Sequence, residues 1–167
     1  IFVEKLAGGS DLTIPVTIIN GAKPGPCFWI NGGIHGDEPE GILTCSLLKE
    51  KIKPDDLSGS IVMIPVMNVP AMEAAERGNP LDTFSYDMNR IYPGRKEGYL
   101  RERIAHIHKE WMIKYADMEI SIHSGGAHSY LAEAMFAAKD DKTQELARAM
   151  GEDWKVCLYS NITSKSP

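Results

Sequence analysis

The sequence predicts an α/β domain in which a mostly parallel or mixed central sheet is flanked by helices. Short apolar, β-branched segments alternate with segments of helical periodicity, the pattern of strands joined by crossover helices. Gly/Pro-rich stretches punctuate the alternation, and the chain carries no internal repeats or low-complexity tracts.

Each element follows from local chemistry. Ile14 to Asn20 is apolar and β-branched, and it runs into Gly21-Ala22-Lys23-Pro24-Gly25-Pro26, a strong turn signal. Cys27 to Asn31 resumes as a short buried strand, broken by Gly32-Gly33. Pro39 to Lys51 carries Ile42, Leu43, Leu47 and Leu48 at helical spacing, with Pro39 suited to a first turn. Ser60 to Met67 reads as a further buried strand, followed by a short Ala/Glu-rich stretch to Glu76. Arg77 to Gly98 lacks periodicity and is rich in Gly, Pro, Asn and Asp, a loop long enough to suggest function. Leu100, Ile104, Ile107, Trp111 and Tyr115 mark one face of a helix over 99–115. Met118 to Ile122 is a strand, Tyr130 to Ala138 is extended, Thr143 to Met150 is helical and Trp154 to Tyr159 is a last strand.

Composition narrows the function classes. With 167 residues, 43% of them hydrophobic and 25% charged, the chain is long enough to bury a core without disulfide staples. A net charge of -5 argues against a nucleic-acid surface, which needs a basic patch. No apolar run approaches the roughly 20 residues of a membrane span. Ile1 to Gly9 lacks the basic start and apolar stretch of a secretory leader. Cys27, Cys45 and Cys157 form no CxxC pair, and Cys27 and Cys45 read as small buried hydrophobes, so a cytoplasmic setting is expected. Because the chain starts with Ile and stops soon after its last strand, a fragment of a larger protein is expected.

In open α/β sheets functional groups collect at the carboxyl ends of strands, and two reactive segments, 32–38 and 123–126, follow predicted strands. In Asn31-Gly32-Gly33-Ile34-His35-Gly36-Asp37-Glu38, a His and a Glu three residues apart can reach one centre across a tight turn. Glycines let the backbone fold close to it. Imidazole and carboxylate both suit zinc, and a catalytic zinc takes three protein ligands. His123, at another strand end, stands where the third ligand is needed. A His in a Gly-rich loop is often only a loop residue, and Asp37 and Glu40 are rival carboxylates. His106 and His108 read as surface or partly buried helix residues, and His128 is unassigned.

The strings NGGIHGDEPEG, DMNRIYPG and SIHSGG, in this order, resemble the succinylglutamate desuccinylase/aspartoacylase family, a branch of the zinc carboxypeptidase-like hydrolases. The resemblance spans essentially the whole chain, as the N-terminal and central part of a catalytic domain with its C-terminal remainder absent. It implies a zinc-carboxypeptidase-like fold, Zn2+ held by His35, Glu38 and His123, and hydrolysis of the amide of a small N-acyl amino acid or related amine. Asn89 and Arg90 match the pair that holds the substrate carboxylate, a role suited to a guanidinium fork and an amide donor. Arg77 is a candidate for polarising the scissile carbonyl. The competing roles are structural, with Arg90 bracing the loop through a carboxylate such as Asp87 and Arg77 in solvent. The proton-accepting Glu of such enzymes is expected beyond residue 167, since Glu133 comes too soon after His123. On that expectation the fragment binds zinc and hydrolyses poorly. A metallocarboxypeptidase acting on peptides, or a non-catalytic metal-binding relative, are the alternatives.

Overall fold

The computed structural model describes residues 1–83, 87–127, 134–138, 140–151 and 155–159. A four-stranded mixed sheet positions the reactive segments. It is built from β3 (Thr17–Asn20), β4 (Lys23–Asn31), β5 (Ser58–Ile64) and β6 (Met118–Ser121), in the order β3-β5-β4-β6. β4 runs parallel to both β5 and β6, whereas β3 is antiparallel to β5. A hairpin of β1 (Phe2–Lys5) and β2 (Asp11–Thr13) precedes the sheet, and β7 (Ala134–Ala138) pairs in parallel with β8 (Lys155–Tyr159). The helices are α1 (Glu40–Lys51), α2 (Val69–Ala74), α3 (Leu100–Tyr115) and α4 (Asp141–Ala149).

The α/β reading of the sequence describes this architecture, and the differences have local causes. The first sheet strand starts at Thr17 rather than Ile14, because Ile14 pairs with Ile1 in both directions and Pro15 has no N–H to continue a ladder. The following strand starts at Lys23, inside the expected turn, since Lys23 already pairs with Ser58 across a register irregularity that accommodates Pro24 and Pro26. β5 ends at Ile64, before Pro65. Within the described part of the long loop a 3-10 turn forms over Met88–Arg90, with the Asn89 N–H donating to the Asp87 side chain. Tyr130 and Trp154, at the starts of two expected strands, lie outside the described residues.

α1 turns a different face inward from the expected one, and α3 buries only the first half of its expected face. α1 buries Gly41 and Cys45, while Leu43 and Leu47 are exposed. The small residues let the helix lie against the strand end, where a Cβ added at Gly41 would stand 2.6 Å from Gly32 Cα. α3 buries Leu100, Arg101, Ile104, Ala105 and His108, and leaves Trp111 and Tyr115 exposed. His108 is therefore a core residue, only 2% exposed, and not a surface one. The buried side of α3 meets Trp29, Val62 and Ile64 of the sheet together with Met88 and Tyr92 of the loop. This packing ties the loop to the strands that carry the site.

Candidate metal centre

β4 and β6 are neighbours and parallel, so Asn31 and Ser121, their last residues, lie side by side in register. The chain leaving β4 folds back at once. Gly33 takes a left-handed conformation (φ 60°), and a Cβ at Gly36 would fall 1.9 Å from the Ala71 carbonyl oxygen. The turn is sealed by hydrogen bonds from the N–H groups of Gly36 and Asn68 to the carbonyls of Glu76 and Gly33. Buried Ile34 anchors it in the core, so His35 and Glu38, each 2% exposed, are held rigidly beside the strand end.

His123, two residues beyond β6, faces this turn. Ligand atoms of His35, Glu38 and His123 all lie within 4.8 Å of one another. His35 Nδ1 is 2.9 Å from Glu38 Oε1, and His123 Nδ1 is 2.9 Å from Oε2. The two Nδ1 atoms stand 3.3 Å apart. The second nitrogen of each ring is committed elsewhere: His35 Nε2 to Asp87 Oδ1 at 2.8 Å, His123 Nε2 to Ser121 Oγ at 3.2 Å. Two inward-facing imidazole nitrogens and a carboxylate make a donor set that fits a divalent cation such as zinc. Asp87 stands behind His35 as carboxylates stand behind metal-binding histidines, orienting the ring and raising its basicity.

The electrostatics agree. Burial works against charge at all three groups, yet hydrogen bonds from His123 and His35 hold the Glu38 carboxyl well below the usual carboxylate range. Asp87 is held equally low, against its own burial, by His35, the Asn89 N–H and Arg77. At His35, hydrogen bonds to Asp87 and Glu38 outweigh burial and raise the ring above its ordinary value. The cluster is thus an anionic niche that favours a positive charge between its donors.

The remaining candidates divide between the cluster and the surface. Arg77 spans the two carboxylates, with one guanidinium nitrogen 3.2 Å from Glu38 Oε1 and the other 2.9 Å from Asp87 Oδ2. It therefore sits at the rim of the centre and not free in solvent. Asp87 also accepts from the Asn89 N–H at 2.8 Å, which seats the Asn89-Arg90 turn beside the cluster. Arg90 is exposed, and among the described residues its hydrogen-bond partner is the Asn89 carbonyl. It does not brace Asp87. The rival carboxylates work on the opposite loop: Asp37 Oδ2 accepts from Ala127 N–H at 3.3 Å, and Glu40 accepts from the Ser124 hydroxyl. His106 pairs with Glu110 on the surface of α3, and His128 lies outside the described residues. Asp87 went unassigned in the sequence, although a carboxylate two residues before Asn89 in a motif segment was a usable signal. Asn31, Glu119 and Ser121 gave none, because they read as ordinary strand polar residues.

Comparison with known proteins agrees with this geometry. Residues 24–166 match the succinylglutamate desuccinylase/aspartoacylase catalytic domain, and the chain belongs to that family. It is 33% identical to the N-alpha-acetyl-L-2,4-diaminobutyric acid deacetylase of Halomonas elongata, covering 87% of this chain and 44% of that protein. A crystal structure of succinylglutamate desuccinylase/aspartoacylase from Rhodobacter sphaeroides superposes with a TM-score of 0.74 at 27% identity, over 89% of this chain and 46% of that one. A product-bound ectoine utilization protein from Ruegeria pomeroyi gives 0.68 at 28% identity, over 84% and 43%. The chain spans less than half the length of each of these relatives.

Proposed function

We propose that this chain is the metal-binding part of a zinc-dependent deacylase that cleaves the amide of a small N-acyl amino acid or related N-acyl amine. The observation that carries the reading is the convergence of His35, Glu38 and His123 at the ends of two adjacent parallel strands. The Halomonas elongata relative, a deacetylase of an acetylated amino acid, supports the substrate class.

The residues divide the work. His35, Glu38 and His123 hold the ion, which when bound supplies Lewis acidity toward the acyl carbonyl. Asp87 orients His35, and Arg77 offsets the charge of Glu38 and Asp87 while presenting an N–H fork at the rim. That fork is suited to an acyl oxygen as charge builds on it. Arg90, exposed and without a carboxylate partner among the described residues, receives the substrate carboxylate together with the Asn89 amide. Among the described residues the carboxylates touching the centre, Glu38 and Asp87, are committed to ring nitrogens and Arg77. We place the proton-accepting Glu in the part of the relatives' length that this chain does not span. A cytoplasmic location is in keeping with the scarcity of cysteines, of which Cys27 and Cys45 are free thiols, and no helix among the described residues is long and apolar enough to cross a membrane.

Zinc titration by competition with a chromophoric chelator, followed by assay on N-acetyl and N-succinyl amino acids and on short peptides, tests the reading. One equivalent of zinc with weak turnover is expected of this chain. Failure to bind zinc overturns the metal assignment. Robust turnover overturns the placement of the base, and a preference for peptides replaces the deacylase with a carboxypeptidase.

A further inference from the structure

The two histidines of the centre are backed differently. His35 has a carboxylate directly on Nε2, whereas His123 Nε2 meets only a serine hydroxyl, Ser121 Oγ, at 3.2 Å. Behind that hydroxyl lies a buried polar chain. Ser121 Oγ donates to Asn31 Oδ1 at 2.8 Å, and Asn31 Nδ2 donates to Glu119 Oε1. At the same carboxylate oxygen, His108 Nε2 lies 2.8 Å from Glu119 Oε1, an ion-pair contact and not an in-line hydrogen bond. His108 Nδ1 is 2.8 Å from the Tyr92 hydroxyl, and Trp29 stacks on the ring with centroids 6.2 Å apart. Asn31 is fully buried, His108 and Tyr92 are each 2% exposed, and the Glu119 side chain is 11% exposed.

From Glu119 to His123 the donors and acceptors run one way. A carboxylate accepts only, so Asn31 turns its amide nitrogen to Glu119 and its oxygen to Ser121. The Ser121 hydroxyl donates to that oxygen, which leaves its lone pair to accept a hydrogen bond from His123 Nε2–H. His123 Nδ1 points the other way, 2.9 Å from Glu38 Oε2 and 3.3 Å from His35 Nδ1. The sheet register makes the arrangement possible, since residues 119 and 121 of β6 stand opposite 29 and 31 of β4 on one face.

We propose that Glu119, acting through Asn31 and Ser121, is the positioning carboxylate of His123, holding its Nε2–H so that Nδ1 is aimed at the metal position. The proposal rests on the metal reading above and adds to it a charge that sits three hydrogen bonds from His123. Removing an outer partner of a ligating histidine typically costs roughly ten- to hundredfold in metal affinity. Ser121→Ala and Glu119→Gln are each expected to lose affinity in that range. Because they cut the same wire, the double variant loses no more than the worse single one. Ser121→Thr, which keeps the hydroxyl, retains the affinity.

The test combines nitrogen-15 NMR of the histidine rings in the metal-free wild-type chain with zinc affinities of the four variants, each checked for folding by circular dichroism. Expected are a protonated Nε2 at His123, hydrogen-bonded to Ser121, and non-additive losses in Ser121→Ala and Glu119→Gln. A bare Nε2, strictly additive losses, or unchanged affinity in Ser121→Ala would overturn the inference. Should the wild type bind no zinc while the ring spectrum shows the expected tautomer, the metal reading fails alone. A bound zinc with the wrong tautomer removes only the role of Glu119.

Discussion

On the proposed metal reading, a proton and a divalent cation compete for the same face of His35. Its ring pKa is raised above 6.5 by Asp87 and Glu38, so its contribution to stability is fully present below about 6.5 and is lost as pH rises through the higher folded value. Glu38 and Asp87 are lowered from 4.5 and 3.8, so theirs is present above those values and is lost as pH falls. The metal-free cluster therefore contributes most between 4.5 and 6.5. Zinc needs the neutral ring, so its stabilising effect grows where the proton's fades. We expect the zinc-induced rise in Tm, followed by differential scanning fluorimetry, to increase between about pH 6 and 8, and a flat profile would contradict the competition. The two arginines separate in the same residue-level terms. A charge-assisted hydrogen bond to a carboxylate contributes about 1.5–3 kcal/mol, so Arg90→Ala should raise KM for an acyl amino acid roughly ten- to hundredfold with zinc affinity unchanged. Arg77→Ala removes the cation beside Glu38 and Asp87, and should lower kcat and alter zinc binding as well. Steady-state kinetics of the catalytically complete enzyme, with a zinc titration of each variant, distinguishes the two. If Arg90→Ala leaves KM unmoved, its role as carboxylate receiver falls.

The elements carry the site because small residues let them approach. A Cβ at Gly41 would stand 2.6 Å from Gly32 Cα, in contact with backbone that cannot rotate away. Gly41→Ala should force α1 off the end of β4 and cost about 1–3 kcal/mol, the range for overpacking a tight contact. Glu38 lies between these two glycines in the chain, so zinc affinity should fall with stability. Leu43→Gln on the exposed face of the same helix should change stability by no more than about 0.5 kcal/mol. Urea unfolding of the two variants checks both, and equal effects would refute the packing argument. The same contact explains which parts of the fold were legible in the sequence. The carboxyl end of β4, that of β6 to within a residue, and the His35–Glu38 turn were readable, because β-branched runs, glycines and a three-residue offset are local signals. The face of α1 was not, and that of α3 only at Leu100 and Ile104. Gly41 and Cys45 carry almost no hydrophobic signal, and a buried His108 looks like any polar helix residue until Tyr92 and Glu119 are brought to it from the loop and from β6. Asp87 was missed for a related reason: its partners, His35 and Arg77, lie 52 and 10 residues away.

On the scale of the whole molecule, the candidate metal centre joins segments that the sheet alone leaves independent. His35 and Glu38 follow β4, Asp87 comes from the long loop, and His123 follows β6, 88 residues after His35. The core beneath them does not depend on that junction. Trp29, Val62, Ile64 and Ile104 are buried against one another, and β4 is hydrogen-bonded on both sides. Binding to the folded state alone stabilises by about 4 kcal/mol at a thousandfold excess over Kd, and here that free energy falls first on the loops it clasps. Chelation should therefore leave β4 and β5 slow to exchange their amide hydrogens while 33–38, 87–91 and 122–127 lose protection, by up to roughly a thousandfold if the loops open locally. Arg77 and Ser124, which also hold Glu38, set a floor under that loss. Hydrogen-exchange mass spectrometry of the zinc-loaded and chelated chain reads this directly. If chelation releases the sheet together with the loops, the ion is part of the fold's foundation, and the picture of a preformed core carrying a detachable clasp is wrong.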